Sequence, residues 1–184
     1  MRAEEILADY EIRKLGLGDI VSEFDCGDED LNDFITNDAP LYRMNLLATT
    51  YVLENKDSGK VVAYFSVAND RISIKDFPSN TDFNRFRRHK FVNEKRMKSY
   101  PAIKICRLGI DKSIQGQQIG TFLLDFVGTM FVTDNRSGCR FLTVDAYSQA
   151  IPFYLKNEFA FLSSGDENQR TRLMYFDLKD IAAD

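Results

Sequence analysis

The chain has no tryptophan, one histidine, three cysteines and four prolines among its 184 residues. Each scarcity closes off a class of chemistry. The single histidine, His89, lies in a basic stretch far in sequence from any cysteine, so neither a Ser-His-Asp nor a Cys-His nucleophile system has its base in a suitable place. Zinc sites of the Cys/His kind fail for the same reason, and no metal is expected unless carboxylates alone were to hold it. Cys26, Cys106 and Cys139 are odd in number and widely spaced, which argues against a disulfide framework and for a reducing compartment. Cys106 and Cys139 fall in predicted strands and read as small buried hydrophobes. No apolar run approaches the roughly 20 residues of a membrane span. The start, Met1-Arg2-Ala3-Glu4-Glu5, lacks the apolar stretch of a signal peptide, so an intracellular, cytoplasmic protein is expected.

What is present is the composition of an ordinary globule, 44% hydrophobic and 28% charged with a formal net charge of −4. The length fits a single domain over residues 1–184 with a substantial core. Residues 10–15 alternate like a strand, 28–39 read as a helix stopped by Pro40, and 48–54 and 60–68 are β-rich runs around a turn signal. Ile72 to Ile74 extend the second run, and a short helix is expected over 82–90. Residues 159–162 and 172–178 read as a closing hairpin. Mostly antiparallel strands with a few covering helices predict a mixed α/β (α+β) sheet.

The most informative stretch runs from Ile103 to Leu162. A strand ending in Leu108-Gly109-Ile110 leads into Gln115-Gly116-Gln117-Gln118-Ile119-Gly120-Thr121. Ile119, Phe122, Leu123, Phe126, Val127 and Met130 then recur at i, i+3, i+4 and i+7, one apolar stripe of a helix. The loop therefore opens that helix, where unpaired N–H groups and the positive end of the dipole make a site for a phosphate or pyrophosphate. Gly116 and Gly120 let a ligand approach the backbone.

These residues resemble the GNAT superfamily of N-acetyltransferases, whose signature of Gln or Arg, two residues, Gly, one residue, Gly or Ala holds the pyrophosphate of acetyl-CoA. Gln115 and Gly120 match its ends, and Gln118 stands where its inner Gly belongs. Downstream, residues 141–159 look like the family's fifth strand and following helix, with the Ala150-x-x-x-Tyr154 spacing that sets a tyrosine at the coenzyme's sulfur. Asn157-Glu158 replace the glycine that often follows, and Asn157 is able to take the left-handed conformation that stops a helix. The resemblance implies a central sheet splayed between its fourth and fifth strands. It implies direct attack of a primary amine on acetyl-CoA in a ternary complex. The pantetheine arm would pair with Leu108 and Ile110, and the pyrophosphate would lie on Gln115, Gly116, Gln117, Gln118, Ile119, Gly120 and Thr121. Gly109 would mark the bulge there, although glycine also relieves crowding in a packed sheet.

By the same resemblance Tyr154 is the general acid. A thiol pKa near 8.5 and a phenol near 10 are close enough for a positioned tyrosine to protonate a leaving thiolate. As an aromatic beside Ile151 and Leu155, Tyr154 also suits a core position. Asp70, Glu94 and Asp145 are equal candidates for a general base, as is a water chain.

Two charge blocks bear on the acceptor. Residues 19–38 hold eight acidic residues and no Lys or Arg, and residues 85–98 hold seven Lys or Arg and one Glu. Solvated faces and a favourable helix dipole explain both; a cationic substrate and a nucleic-acid or adenosine-phosphate contact are the functional alternatives. Residues 24–35 look like the early helix of the toxin-like GNAT branch, which implies acetylation of aminoacyl-tRNA as a second enzymatic reading. A tRNA partner is not favoured beside a sequence pI near 5.1. A non-catalytic module that binds acyl-CoA or a partner protein is the third, carried by Gln118.

Overall fold

A computed structural model describes residues 3–92, 96–134 and 137–182. The chain divides into two compact units, Met1–Ala68 with Ile105–Val127 and Asn69–Lys104 with Gly128–Asp184. Two strands, β3 (Val61–Ser73) and β4 (Ser99–Ile110), run through both.

In the first unit, helix α1 (Ala3–Asp9) passes directly into β1 (Tyr10–Lys14). That strand pairs antiparallel with β2 (Thr49–Asn55), which pairs antiparallel with β3 in the register Val52↔Tyr64. The part of β3 from Val61 to Val67 is buried throughout, as a strand covered on both faces must be. The helical run opens at Asp28, whose side chain accepts the N–H of Leu31. It passes through α2 (Glu29–Asp33), a π-helical turn (Phe34–Asp38) and α3 (Ala39–Met44). It was expected to stop before Pro40; instead Pro40 lies in the first turn of α3, directly after the π-helical turn, where a missing N–H costs least. Phe34 and Ile35 face inward, against Leu15, Val52 and Tyr64 in one apolar cluster.

In the second unit, α4 (Asn80–Lys90) is capped by Ser79 and covers an aromatic cluster of Phe83, Phe86, Phe91, Tyr100, Phe141 and Tyr175. Beneath it lie the first half of β4, β5 (Phe141–Tyr147), β6 (Ala160–Phe161) and β7 (Thr171–Asp177). Strand β5 pairs antiparallel with β7, which pairs antiparallel with β6 as the expected hairpin. Asp177 accepts from Lys90 Nζ at 2.8 Å and from Arg140 Nε at 2.6 Å. Burial works to raise the pKa of this carboxyl, but the hydrogen bonds from Arg140 and Lys90 outweigh it and hold it below its ordinary value.

The sheet order is β1-β2-β3-β4-β5-β7-β6, with helix α5 (Ile119–Thr133) between β4 and β5 in the chain. Strands β4 and β5 are parallel and share only Ala102↔Phe141, Ile103↔Leu142 and Lys104↔Thr143. Their ladder stops there, the splay expected of a GNAT sheet. Among the described residues no helix is long and apolar enough to cross a membrane.

One expectation needs correction, and one element went unforeseen. Cys106 and Cys139 are half-buried rather than core residues, and Cys139 lies just ahead of β5, its thiol pKa pushed up to about 11 by burial. The α1 helix carried no clear sequence signal, since only Ile6 on it is buried.

Gly109 is fixed by packing. A Cβ built on it would lie 2.6 Å from Cε1 of Tyr64 and 3.2 Å from Phe24. Tyr64 has nowhere to go, because its ring is fully buried and its hydroxyl donates to Leu31 O at 2.7 Å. We therefore expect Gly109→Ala to destabilise the protein by about 1–3 kcal/mol in urea unfolding, as overpacking does. A change under about 0.3 kcal/mol would show that the strand has slack at this point.

Candidate active site

The loop predicted to bind pyrophosphate lies wholly in the first unit. Strand β4 ends at Ile110, and the Asp111 N–H donates to Val62 O at 2.8 Å, which fixes the exit of the chain. Asp111 then caps a 3-10 turn (Lys112–Ile114), accepting the N–H of Ser113 at 3.0 Å and its hydroxyl at 2.5 Å. Gly116 follows at φ +79°, and Gln118 takes φ +64°. The residue that replaces the motif's inner glycine thus adopts the left-handed conformation a glycine would adopt. For a residue with a Cβ this costs on the order of 1 kcal/mol.

The first bond of α5 runs from Phe122 N–H to Gln118 O at 3.1 Å. The N–H groups of Ile119, Gly120 and Thr121 therefore have no acceptor inside the helix, and they stand at the positive end of its dipole. Gln115, Gly116, Gln117 and Gln118 are exposed, so the loop is open to a ligand. Leu108 and Ile110 are half-buried on the preceding strand.

The side chain of Gln115 is committed elsewhere. Its Nε2 donates to Ile110 O at 2.8 Å and to Cys26 O at 2.9 Å. Sequence reasoning missed what surrounds this bond: Asp111 Oδ2 accepts the N–H of Asp25 at 3.2 Å, and Lys112 Nζ meets Asp25 Oδ2 at 2.8 Å. The Lys112 hydrogen bond, helped by the Gly27 N–H, holds the Asp25 carboxyl below its ordinary pKa. Asp111-Lys112-Ser113, an Asx turn, was the signal that could have exposed part of the cluster. The partner segment 86 residues away in sequence carried none.

Tyr154 belongs to the second unit. It sits on α6 (Ile151–Lys156), which begins with Pro152 in its first turn and follows β5 after a short turn. Its ring is edge-on to Phe153 and Phe159, and its hydroxyl makes no hydrogen bond among the described residues. Burial raises the phenol's pKa above its ordinary value, so it is protonated throughout the neutral range. The residue that ends this helix in the left-handed region is Glu158 at φ +65°, not Asn157, which stays at φ −100° and returns its side-chain amide to Phe153 O.

Of the candidate bases, Asp70 accepts from Thr143 Oγ1 at 2.6 Å, Asp145 pairs with Lys104 at 2.7 Å, and Glu94 lies outside the described residues, as does Lys95 of the basic block. Asp145 lines a cleft of about 400 Å³ with Asp76, Phe77, Asp166 and Thr171. A neighbouring cleft of about 360 Å³ brings together Arg85, His89, Phe77 and Phe86. Within the basic block, Lys90 is spent on Asp177, and Arg87 donates to Met97 O at 3.3 Å. Among the described residues no cluster of His, Cys, Asp or Glu could hold a metal ion.

The model of the acetyltransferase (GNAT) domain matches residues 89–179, which include both β4 with its loop and Tyr154. The chain carries a GNAT acetyltransferase domain. Solved structures agree over nearly the whole length. AtaTR bound with acetyl-CoA is 25% identical, with 96% of this chain and 98% of that one covered at a TM-score of 0.75. A tyrosine-to-phenylalanine variant of KacT is 22% identical over 95% and 98%, also at 0.75. AtaT complexed with acetyl-methionyl-tRNAfMet is 24% identical over 95% and 98%, at 0.72. The fold is thus shared with KacT and with AtaT, itself described as a toxin.

The left-handed Gln118 gives a direct test of the loop. We expect Gln118→Gly to be neutral or stabilising by up to about 1 kcal/mol, and the β-branched Gln118→Val to destabilise by about 1–2 kcal/mol, both read by urea unfolding. Equal stability of the two variants would mean that the loop does not hold this conformation in solution.

Proposed function

We propose that residues 1–184 act as one acetyltransferase domain that moves the acetyl group of acetyl-CoA to a primary amine by direct attack in a ternary complex. The observation that carries the reading is the start of α5, where three N–H groups without helical acceptors stand behind a loop held open by left-handed Gly116 and Gln118. Such a site suits a pyrophosphate. Main-chain groups from Gln115 through Gly116, Gln117, Gln118, Ile119 and Gly120 to Thr121 would cradle it, and Leu108 and Ile110 would pair with the pantetheine arm as an added strand does. The likeness to AtaTR bound with acetyl-CoA supports the choice of cosubstrate.

In this reading the amine attacks the thioester carbonyl and passes its proton to a carboxylate or a water chain, the tetrahedral oxyanion collapses with cleavage of the C–S bond, and Tyr154 donates its proton to the departing thiolate. The apolar setting that raises the phenol's pKa keeps it a donor.

A second reading takes the amine to be that of an aminoacyl-tRNA. The likeness to AtaT with acetyl-methionyl-tRNAfMet favours it, and so do the cationic Arg85 and Arg88 on α4.

Saturating acetyl-CoA should raise the melting temperature, since a ligand at 100 times its Kd adds about 2.7 kcal/mol, and Gly120→Leu should abolish the shift. No shift in the native protein would count against the cosubstrate. With an acceptor found by mass-spectrometric screening, Tyr154→Phe should lower kcat by roughly 10²- to 10⁴-fold at neutral pH with coenzyme binding unchanged. The deficit should shrink toward pH of about 9, where the leaving thiolate needs less protonation. A loss under about tenfold, worth less than about 1.4 kcal/mol, would return Tyr154 to a packing role.

For the tRNA reading, binding should weaken steeply with salt and further when Arg85 and Arg88 are neutralised together. Lys90 is left intact because it holds Asp177. Absence of tRNA binding at low salt would remove this reading.

A further inference from the structure

We propose that Gln115, with Asp111 and Lys112, is a positioning device that transmits occupancy of the coenzyme loop to the start of α2. The inference rests on the acetyl-CoA reading and assigns Gln115 a task distinct from phosphate binding. Every bond involved lies inside the first unit. From the loop side, Gln115 Nε2 grips Cys26 O, Asp111 Oδ2 receives the Asp25 N–H, the Lys112 N–H donates to Asp25 O at 2.8 Å, and Lys112 Nζ pairs with Asp25 Oδ2. Segment 25–27 is thereby tied at four points to residues 111–115.

The same segment is tied to the helix. The Cys26 N–H donates to Asn32 Oδ1 at 2.9 Å, and Asn32 Nδ2 donates to Asp25 Oδ1 at 3.2 Å. Leu31, next along, accepts the hydroxyl of Tyr64. A continuous set of hydrogen bonds therefore runs from the loop at Gln115 through Asp25 and Cys26 to Asn32.

The links differ in how much they can carry. Lys112 and Asp25 are more than half exposed, so their ion pair is screened and weak. Asp111 is buried and already fixed by Ser113 and Val62, so it is a rigid anchor whether or not a ligand is bound. Gln115 is the variable member. It lies at the head of an exposed loop with two left-handed residues, and its amide grips Cys26 only while that loop keeps its shape. A ligand that fixes the loop therefore fixes Gln115, and with it Cys26 and the first turn of α2. A local opening of the loop releases both. Acetyl-CoA would thus order the acidic start of α2.

Amide hydrogen exchange on the full chain, with and without saturating acetyl-CoA, tests this. In the native protein the coenzyme should slow exchange at residues 116–122, and should also slow it at 25–33 by at least about tenfold. Gln115→Glu keeps the size of the side chain and replaces two donors by acceptors facing two carbonyls. In it, protection at 116–122 should persist, and the coenzyme-dependent slowing at 25–33 should fall below about twofold. A purely structural loss would speed exchange at 25–33 equally with and without coenzyme and leave that ratio unchanged, which would overturn the proposal. So would a native protein protected at 116–122 but not at 25–33. Lack of protection at 116–122 in the native protein would instead sink the acetyl-CoA reading itself. Gln115→Met, which removes the donors without adding a charge, gives the same readout if the Glu variant does not fold.

Discussion

Strand β4 loses its parallel partner halfway along its length, and the candidate site depends on what holds it from there on. The ladder with β5 ends at Lys104↔Thr143, yet the strand continues to Ile110. Its last residues are kept in place from the β3 side, where Tyr64 packs into the space a Gly109 side chain would fill and Val62 O accepts the N–H of Asp111. Because the loop leaves β4 at that residue, its position is inherited from Tyr64 and Val62. A glycine that reads as a functional bulge is thus a packing requirement with a functional consequence.

The loop itself contains no charged side chain between Ser113 and Thr121. What the loop offers an anion is main-chain N–H groups and the helix dipole, a mode set by geometry rather than by charge count. That geometry is not free. Gln118 is held in a left-handed conformation that a side chain disfavours, and such strain persists only where the surroundings over-determine it. The Asp111 cap on one side and the buried first turn of α5 on the other supply that constraint.

The second unit follows another logic, in which charge is concentrated on one buried carboxylate. Asp177 joins Lys90 of α4 and Arg140, both of which also lie over aromatic rings of the cluster beneath the helix. Part of the basic block is therefore structural, whereas Arg85, Arg88 and Lys98 are exposed. Tyr154 stands apart from this network in an apolar setting of Phe153 and Phe159, where burial keeps its phenol protonated.

Periodicity made α5 and the closing hairpin legible, because each buries one face and so imposes a regular apolar repeat on the chain, whereas β5 and the GNAT-like order were legible through the family resemblance. The motif residues Gln115, Gly116, Gly120 and Tyr154 could be named because the family's motifs that they resemble are local in sequence. Local signals failed where the deciding contact is distant. Pro40 looked like a helix stop because nothing in the sequence announces a π turn, and Asn157 looked like the left-handed residue because intrinsic preference points to it rather than to Glu158. The commitment of Gln115 to Cys26, the reason for Gly109 and the tie between Asp25 and Asp111 arise between residues tens of positions apart. Hydrogen-bond partners at that separation are chosen by how the strands are stacked, and only the folded chain specifies that.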